Sequence, residues 1–337
     1  MRKPFSALIM LAAVVTSVGG SIAPAFAATP TAPQPSKTAP AGQALEIAPP
    51  VISITGNPGQ SSKALIYLRN ISGSNLVVSN QVNDFVAGGQ DGTPKLILKD
   101  TSNNPYTLKP WISPLANLTL VPKEIKTLNV TINIPANASP GGHYGVIRFT
   151  GTPAGLSGTG VSLSASLGAL LLVTVNGKIS QGLAVQQFTV GKGGNSGKIF
   201  ESLPLQFVEV LKNTGNVHVQ PVGQVTLTNM FGKKVGAVNV NLPPGNILPA
   251  SSRKFSQPLD KTVLGNKKLF GHYTADLKVT YGTEKKVLTS SLSFWVIPFK
   301  LIIFVALLLV VGFFGLRYLL KWYNRRIIDR AQNSRRK

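Results

Sequence analysis

Two histidine–tyrosine pairs are the first places in this chain where the residue types could do chemistry. They are His143–Tyr144 and His272–Tyr273, and a glycine precedes each pair. An imidazole can move protons or bind a metal. The chain has only three histidines, however, and the third, His218, lies far from both pairs. Because this spacing matches no metal-binding motif, we expect no catalytic or metal-binding role, and we expect His143 and His272 at the surface or at strand edges.

The loop "DFVAGGQDG" could hold a calcium ion through the carboxylates of Asp84 and Asp91. Calcium takes six or more oxygen ligands, and two carboxylates in a glycine-rich loop are common without any ion. The sequence therefore does not decide whether this loop binds calcium, because two carboxylates alone do not predict a site.

The remaining motifs argue against an enzyme. The stretch "GKGGNSGK", residues 191–198, departs from a phosphate-binding loop at Lys192, where a glycine is required, and at Ile199, where Ser or Thr is required. It predicts a hairpin loop instead. The chain contains no Gly-x-Ser-x-Gly elbow and no His-Glu-x-x-His pair. It also lacks cysteine, which excludes thiolate chemistry and disulfides. We expect a non-enzymatic protein without a cofactor.

The elements that position these residues are alternating strands, and their order occurs twice. "SSKALIYLRN" and "LPLQFVEVLKN" each alternate and end at an asparagine, Asn70 or Asn213, before a glycine turn. A Gly-His-Tyr strand and a final strand follow in each half. This order predicts an all-β fold of two tandem immunoglobulin-like β-sandwiches, residues 51–178 and 179–293.

The position of the two tyrosines favours a structural role. In such sandwiches a tyrosine near the start of a late strand turns its ring inward, and its hydroxyl bonds the backbone of a nearby loop. We therefore predict that Tyr144 and Tyr273 are tyrosine corners, with both rings buried.

Both ends of the chain carry apolar segments. Residues 1–27 read as a secretory signal peptide, with a small-x-small cleavage site at Ala25–Ala27, and residues 28–50 as a Pro-rich spacer. Residues 294–320 predict a transmembrane helix, followed by a basic cytoplasmic tail at 321–337. We expect a single-pass protein of the cell membrane with its N-terminus outside and anionic lipid as the partner of the tail. The predicted membrane flanks are Lys300, Arg317, Lys321, Arg325 and Arg326.

The net charge of +23 is not confined to the tail. Residues 179–293 hold thirteen bases against five acids, a surplus of eight. Such a surplus favours an anionic environment, although a solvated lysine surface that aids solubility is an equally good interpretation. The predicted polyanion contacts are Lys233, Lys234, Arg253, Lys254, Lys267, Lys268, Lys285 and Lys286.

Three stretches resemble a known family. "LVPKEIKTLNVTINIPANASPGGHYGVIRFTG" is similar to the Pro-Gly-x-Tyr-Gly-x-Ile segment of the bacterial WxL-interacting proteins and its lead-in. "GNPGQSSKALIYLRNISGSNLVV" and "DFVAGGQDGTP" resemble the start and the following loop of the same N-terminal domain. The resemblance covers residues 51–152 well, whereas residues 179–294 share only the order of strands and are shorter and more basic. It implies a surface protein of a thick-walled cell, with a peptidoglycan-associated first domain.

Together these features predict a membrane-anchored surface protein that associates with the cell wall or acts in adhesion. Its expected partner is a wall polymer, peptidoglycan or teichoic acid, or another surface protein, and not a nucleic acid. One alternative is a chaperone-like assembly factor that holds secreted subunits by strand addition. A second alternative is a wall hydrolase or transferase, for which the sequence supplies no catalytic constellation.

Overall fold

The computed structural model describes residues 44–99, 104–153, 166–265 and 267–334, with side chains up to residue 325. The predicted signal peptide and residues 28–43 of the predicted spacer lie outside these ranges. The strands of the first half are β1 Leu45–Ala48, β2 Val51–Gly56, β3 Ser61–Asn70, β4 Leu76–Ala87, β5 Pro94–Ile97, β6 Leu118–Leu120, β7 Ile125–Asn133, β8 Gly141–Pro153 and β9 Ser166–Val175.

The second half continues with strands and two helices. They are β10 Leu183–Lys192, β11 Asn195–Ser196, β12 Ile199–Phe200, β13 Leu205–Asn213, β14 Val222–Asn229, β15 Lys234–Val240, β16 Ser252–Leu259, α1 Lys261–Leu264, β17 Gly271–Tyr281, β18 Lys286–Val296 and α2 Phe299–Ser334. The all-β fold class with one C-terminal apolar helix is confirmed. β10 and β11 form the hairpin that "GKGGNSGK" predicts.

Each half is a sandwich of two sheets, and apart from β6 and β11 the strand order is the same in both. In the first half the sheets are β1-β3-β7 and β2-β9-β8-β4-β5, with β6 paired to β4. In the second they are β11-β10-β13-β16 and β12-β18-β17-β14-β15. In each half the first strand pairs antiparallel with the strand that ends at the buried asparagine, β1 with β3 and β10 with β13. A short strand also runs parallel to the last strand of the half, β2 to β9 and β12 to β18. Alternating side chains fill one apolar core per sandwich.

The repeated asparagine explains why the turn after β3 and the turn after β13 look alike in sequence. Asn213 is fully buried, and its amide donates to the carbonyls of Val217 at 2.7 Å and Ile247 at 2.8 Å while its oxygen accepts the Gly215 N–H. Asn70 is equally buried, and its amide and oxygen bond the same relative positions. Each side chain therefore closes its own turn and fastens it to a distant strand.

Three predicted boundaries differ from the structure. β1 lies inside the predicted spacer 28–50 because Leu45 is buried in the first core and the strand pairs with β3 along its whole length. The predicted helix 294–320 begins five residues later, at Phe299, because Phe294 and Val296 are still buried in the second core. α2 then continues to Ser334, so most of the predicted tail 321–337 is helical.

α2 is long and apolar enough to cross a membrane. Residues Phe299–Arg325 form its apolar part, and none of that stretch is buried against the rest of the described protein. Twenty-seven residues at about 1.5 Å each span roughly 40 Å, more than a hydrocarbon core of about 30 Å. Lys300, Arg317, Lys321 and Arg325 are exposed on it, whereas the side chain of Arg326 lies outside the described part.

Candidate functional site

The two sandwiches meet through a third apolar cluster that belongs to neither core. Phe85 of β4, Tyr144 of β8 and Leu172 of β9 point away from the first core and are at most 3% exposed. Leu248 of the second sandwich packs against them. The outer face of these strands is therefore covered by the neighbouring sandwich, which makes both faces of β8 and β9 buried.

Polar contacts fasten the same junction. The Gly142 N–H donates to the Asn216 carbonyl at 2.8 Å. The Asn216 amide donates to the carbonyls of Pro140 and Lys178 at 3.2 and 3.0 Å, and its side-chain oxygen accepts the Ser180 N–H. Asn216 thus bonds the first sandwich and the connecting segment at once.

The two predicted tyrosine corners differ from each other. Tyr273 is 5% exposed, and its hydroxyl donates to the Phe270 carbonyl at 3.1 Å and accepts the Phe270 N–H. Tyr144 is 1% exposed, but its hydroxyl faces Nδ1 of His218 in the other sandwich at 3.5 Å. The tyrosine-corner prediction expected the Tyr144 hydroxyl to bond the backbone of a nearby loop, and the structure gives it His218 of the other sandwich instead. The reason is that β8 turns this ring toward the junction and not toward the first core.

The expectation that His143 lies at the surface is wrong. His143 is 4% exposed, and its two ring nitrogens lie 3.0 Å from the carbonyls of Thr107 and Ser139. Both partners are carbonyl acceptors, so the ring is held between two backbone segments. His272 is half-buried beside Trp295, with ring centroids 5.0 Å apart.

His218 is the histidine that the junction perturbs most. Burial against the first sandwich lowers the pKa of His218 to about 4. Burial also raises the pKa of the facing Tyr144 hydroxyl far above its usual range. Both groups are therefore neutral at pH 7, which suits an enclosed contact between two uncharged rings.

Beside the apolar cluster a cavity of about 240 Å³ lies between the sandwiches. For scale, a cavity of about 150 Å³ accommodates a benzene ring. The apolar lining includes Val51, Phe85, Leu170, Leu172, Ile247 and Leu248, and the polar lining includes Thr93, Gln220, Ser251 and Arg253. The site has room for one or two apolar side chains and has polar groups at its margin, as small binding pockets do.

Arg253 lines both the cavity and a second space, a groove on the second sandwich. Its Nη1 donates to the Asn246 carbonyl at 3.0 Å, and its guanidinium lies 5.6 Å from the centre of the Phe255 ring. A Cβ on Gly92 or Gly245 would lie within 2.7 Å of the guanidinium, so both glycines are needed for this approach. Arg253 therefore lies close to the Gly92 loop of the first sandwich and bonds the Asn246 loop of the second.

The groove runs along the edge strand β16. It is about 550 Å³ in volume and lies between β15 and β16, with Arg253, Lys254, Ser256 and Pro258 along one wall. Among the strands that the structure describes, β16 pairs with β13 alone, so its other edge is open to a further strand. The Lys254 N–H on that open edge already donates to the Gln90 carbonyl of the first sandwich at 2.6 Å.

The predicted polyanion contacts do not form one surface. Arg253 and Lys254 line the cleft and groove. Lys285 and Lys286 lie at the β17–β18 turn, on the end of the second sandwich that faces the first. Lys233, Lys234, Lys267 and Lys268 lie at the opposite end, near the start of α2. The eight residues thus belong to three separate places.

The loop considered for calcium uses its carboxylates otherwise. Asp84 accepts the N–H groups of Leu108 and Lys109 at 2.9 and 2.8 Å and also bonds the Thr107 hydroxyl. Asp91 bonds the backbone and hydroxyl of Thr93, and these bonds lower its pKa. Among the described residues no group of three or more metal-ligating side chains converges.

One buried carboxyl group, that of Glu209, is absent from the residues that the sequence singles out. Glu209 of β13 is fully buried, and burial raises its pKa to about 8. The Gln257 side-chain amide lies 2.5 and 3.1 Å from its two carboxyl oxygens and can present either its oxygen or its nitrogen. The signal was present in "LPLQFVEVLKN", where a glutamate takes the inward position between Phe207 and Leu211.

Comparison with known proteins adds fold likenesses only. No protein-family model and no curated protein matches the chain. Among solved structures, the class 5 fimbriae chaperone CfaA is 13% identical over 73% of this chain and 98% of its own, with a TM-score of 0.40. The YadV chaperone is 11% identical over 75% and 100%, with a TM-score of 0.37. The CupB2 chaperone of Pseudomonas aeruginosa is 12% identical over 72% and 96%, with a TM-score of 0.32. At these values the likenesses carry no information about function.

Proposed function

We propose that this protein is a membrane-anchored binding protein whose interdomain cleft receives an extended, apolar segment of another secreted protein. The observation that carries the proposal is that the cavity and the groove share Arg253 in their linings. An apolar side chain of the segment fills the cavity, and its backbone pairs with the open edge of β16. Strand addition of this kind gives affinity through the main chain and specificity through the pocket.

The chain's own loop supports the proposed mode of pairing. Gln90 of the first sandwich already places a carbonyl on the Lys254 N–H, at one end of the open edge. An incoming strand extends this ladder toward Ser256, up to Pro258, which has no N–H to donate. Its length along β16 is therefore limited to a few residues.

The membrane anchor completes the proposal. α2 crosses the bilayer, the basic residues after it stay inside the cell, and the two sandwiches stand outside. The cleft then faces proteins that have already been exported.

Photo-crosslinking in cells tests the cleft. Benzoylphenylalanine at Thr93 in the cleft or at Ser256 on the groove should crosslink to an exported protein, whereas the same probe at the exposed Glu284 should not. Leu170→Trp fills the cavity and should abolish most of the crosslinking at Thr93. Equal crosslinking at all three positions, or no effect of Leu170→Trp, would contradict the proposal.

The fate of the crosslinked complex separates two roles. A partner that leaves the cleft when it matures makes the protein a chaperone-like assembly factor, and a partner that stays makes it part of a stable surface complex. A pulse–chase before crosslinking measures this.

Wall association is a second candidate, favoured by the lysine surplus of residues 179–293. The full chain in detergent should then pellet with purified peptidoglycan or bind lipoteichoic acid. Binding should weaken steeply between about 50 and 300 mM salt, because the Debye length shortens. Absence of binding at low salt would leave the lysines without this role.

A further inference from the structure

Three large apolar side chains protrude from one end of the second sandwich. Met230 and Phe231 form the tip of the β14–β15 hairpin, and Phe270 precedes β17. They are 51%, 82% and 60% exposed, and together they form an exposed apolar patch of the kind that marks an interaction surface. Asn229 holds the hairpin tip in shape by accepting the N–H groups of Phe231 and Lys233. The aromatic ring at the tip is therefore presented by a defined turn.

The strand register places this tip beside the entry to α2. Asn229 pairs with Tyr273 across β14 and β17, and Gly271 pairs with Val296 across β17 and β18. The hairpin tip, the start of β17 and the end of β18 therefore share one end of the sheet. A Cβ on Gly271 would lie 2.6 Å from the Met230 methyl group, so the hairpin tip lies directly on the start of β17.

Lysines surround the protruding side chains. Lys233 and Lys234 follow Phe231 after one glycine, and Lys268 precedes Phe270 by two residues, all three lysines exposed. No acidic residue lies within either segment, 230–234 or 267–270. We call this set the apolar–basic rim, and it consists of Met230, Phe231, Lys233, Lys234, Lys268 and Phe270.

The start of α2 is held firmly against the same end. Only Ile297 and Pro298 separate β18 from Phe299, and the Ile297 N–H donates to the Phe200 carbonyl at 2.8 Å. Lys300 in the first helical turn pairs with Glu201 at 3.3 Å. Two residues span at most about 7 Å, so the rim cannot move far from the plane where α2 enters the bilayer.

We propose that the apolar–basic rim docks onto the surface of the anionic bilayer that α2 crosses. Phe231 and Phe270 enter the boundary between headgroups and acyl chains, and the lysines contact anionic headgroups. Because α2 already anchors the protein in the bilayer, the contact between rim and bilayer is intramolecular, and a low affinity of the rim for lipid is sufficient. Docking fixes the tilt of the second sandwich and thereby the distance of the interdomain cleft from the membrane. This inference rests on the proposed membrane anchoring.

The absence of cysteine allows single labels on the full chain. An environment-sensitive fluorophore is attached at Phe231→Cys in the rim, at Glu284→Cys on the opposite end of the same sandwich, or at Leu308→Cys within α2. The protein is reconstituted in vesicles of phosphatidylcholine with about one-third phosphatidylglycerol, with and without lipids that carry a quencher. The label at 231 should shift to shorter wavelength and lose most of its emission to the quencher, as the label at 308 does, whereas the label at 284 should do neither.

The controls separate the possible failures. If the label at 308 is quenched and the label at 231 is not, docking is wrong while the anchor stands. If the label at 308 is not quenched either, both the anchoring and the docking are wrong. A blue shift at 231 that persists in detergent and grows with protein concentration assigns the rim to a second copy of the chain and also overturns the proposal.

The lysines have a test of their own. Lys233→Gln, Lys234→Gln and Lys268→Gln together should reduce the quenching at 231 in anionic vesicles and leave it unchanged in pure phosphatidylcholine, because only the former offers them a charged surface. The same loss in both vesicles would contradict the proposed role of charge.

Discussion

Glu209 is a carboxyl group enclosed in the core of a domain that otherwise buries apolar side chains. Burial raises its pKa to about 8 from 4.5, so the folded state holds a proton that the unfolded state has lost at neutral pH. A raised carboxyl pKa makes the free energy of unfolding fall as pH rises from about 4.5 to 8. The partly buried His218, with its pKa lowered to about 4, acts in the opposite direction below about pH 6.5.

The pH dependence above 6.5 therefore reports Glu209. We predict that the second sandwich loses about 2 kcal/mol of stability between pH 6.5 and 8, since one pKa unit corresponds to about 1.4 kcal/mol. Glu209→Gln, which keeps the shape and a hydrogen bond to Gln257, should remove this loss. Urea unfolding of the full chain in detergent at several pH values measures it. Glu284→Gln, at an exposed position, is the control, and an unchanged pH profile for Glu209→Gln would refute the assignment.

At the scale of elements, the buried asparagines are what the two sandwiches most visibly share. Asn213→Ala removes the donor for two buried carbonyls and the acceptor for the Gly215 N–H. Leaving such groups unsatisfied should lower the free energy of unfolding by on the order of 3 kcal/mol. Asn239→Ala on the exposed face of β15 should change it little. If the two variants have the same denaturation midpoint, the hydrogen bonds of the Asn213 side chain do not stabilise the turn.

These elements were predictable because their signals are local. Asn213 bonds residues two and four positions ahead, so the pattern of asparagine, turn and strand is legible in one stretch of sequence. The cleft is different, since Phe85, Leu172 and Leu248 come from three distant stretches. Alternation tells which side of a strand faces its own core, but not what covers the other side. The one available hint was the uninterrupted apolar run "ALLLV" in β9, which is typical of a strand buried on both faces.

At the scale of the whole molecule, the junction makes the two sandwiches depend on each other. The apolar cluster around Tyr144 buries residues of β4, β8 and β9 that would face water if the second sandwich moved away. The hydrogen bonds of Asn216 join the two sandwiches beside this cluster. The cleft exists only while this junction holds, whereas the groove lies almost wholly within the second sandwich, so the complete binding site is a property of the pair.

Removing the Tyr144 ring should uncouple the sandwiches. Tyr144 contacts Phe85, Tyr106 and His218 through its ring, so Tyr144→Ala leaves a cavity at the centre of the junction and should cost on the order of 3 kcal/mol. We expect the wild-type chain to unfold in urea in one transition and the variant in two, because each sandwich keeps its own core while the contact between them is lost. In a background with Trp295→Phe and Trp322→Phe, Trp111 fluorescence follows the first sandwich, and near-ultraviolet circular dichroism follows the whole chain. Tyr67→Ala is the matched control, since Tyr67 lies on the outer face of β3 and is 42% exposed. One shared transition in Tyr144→Ala, or two in Tyr67→Ala, would show that the sandwiches are coupled by something other than this cluster.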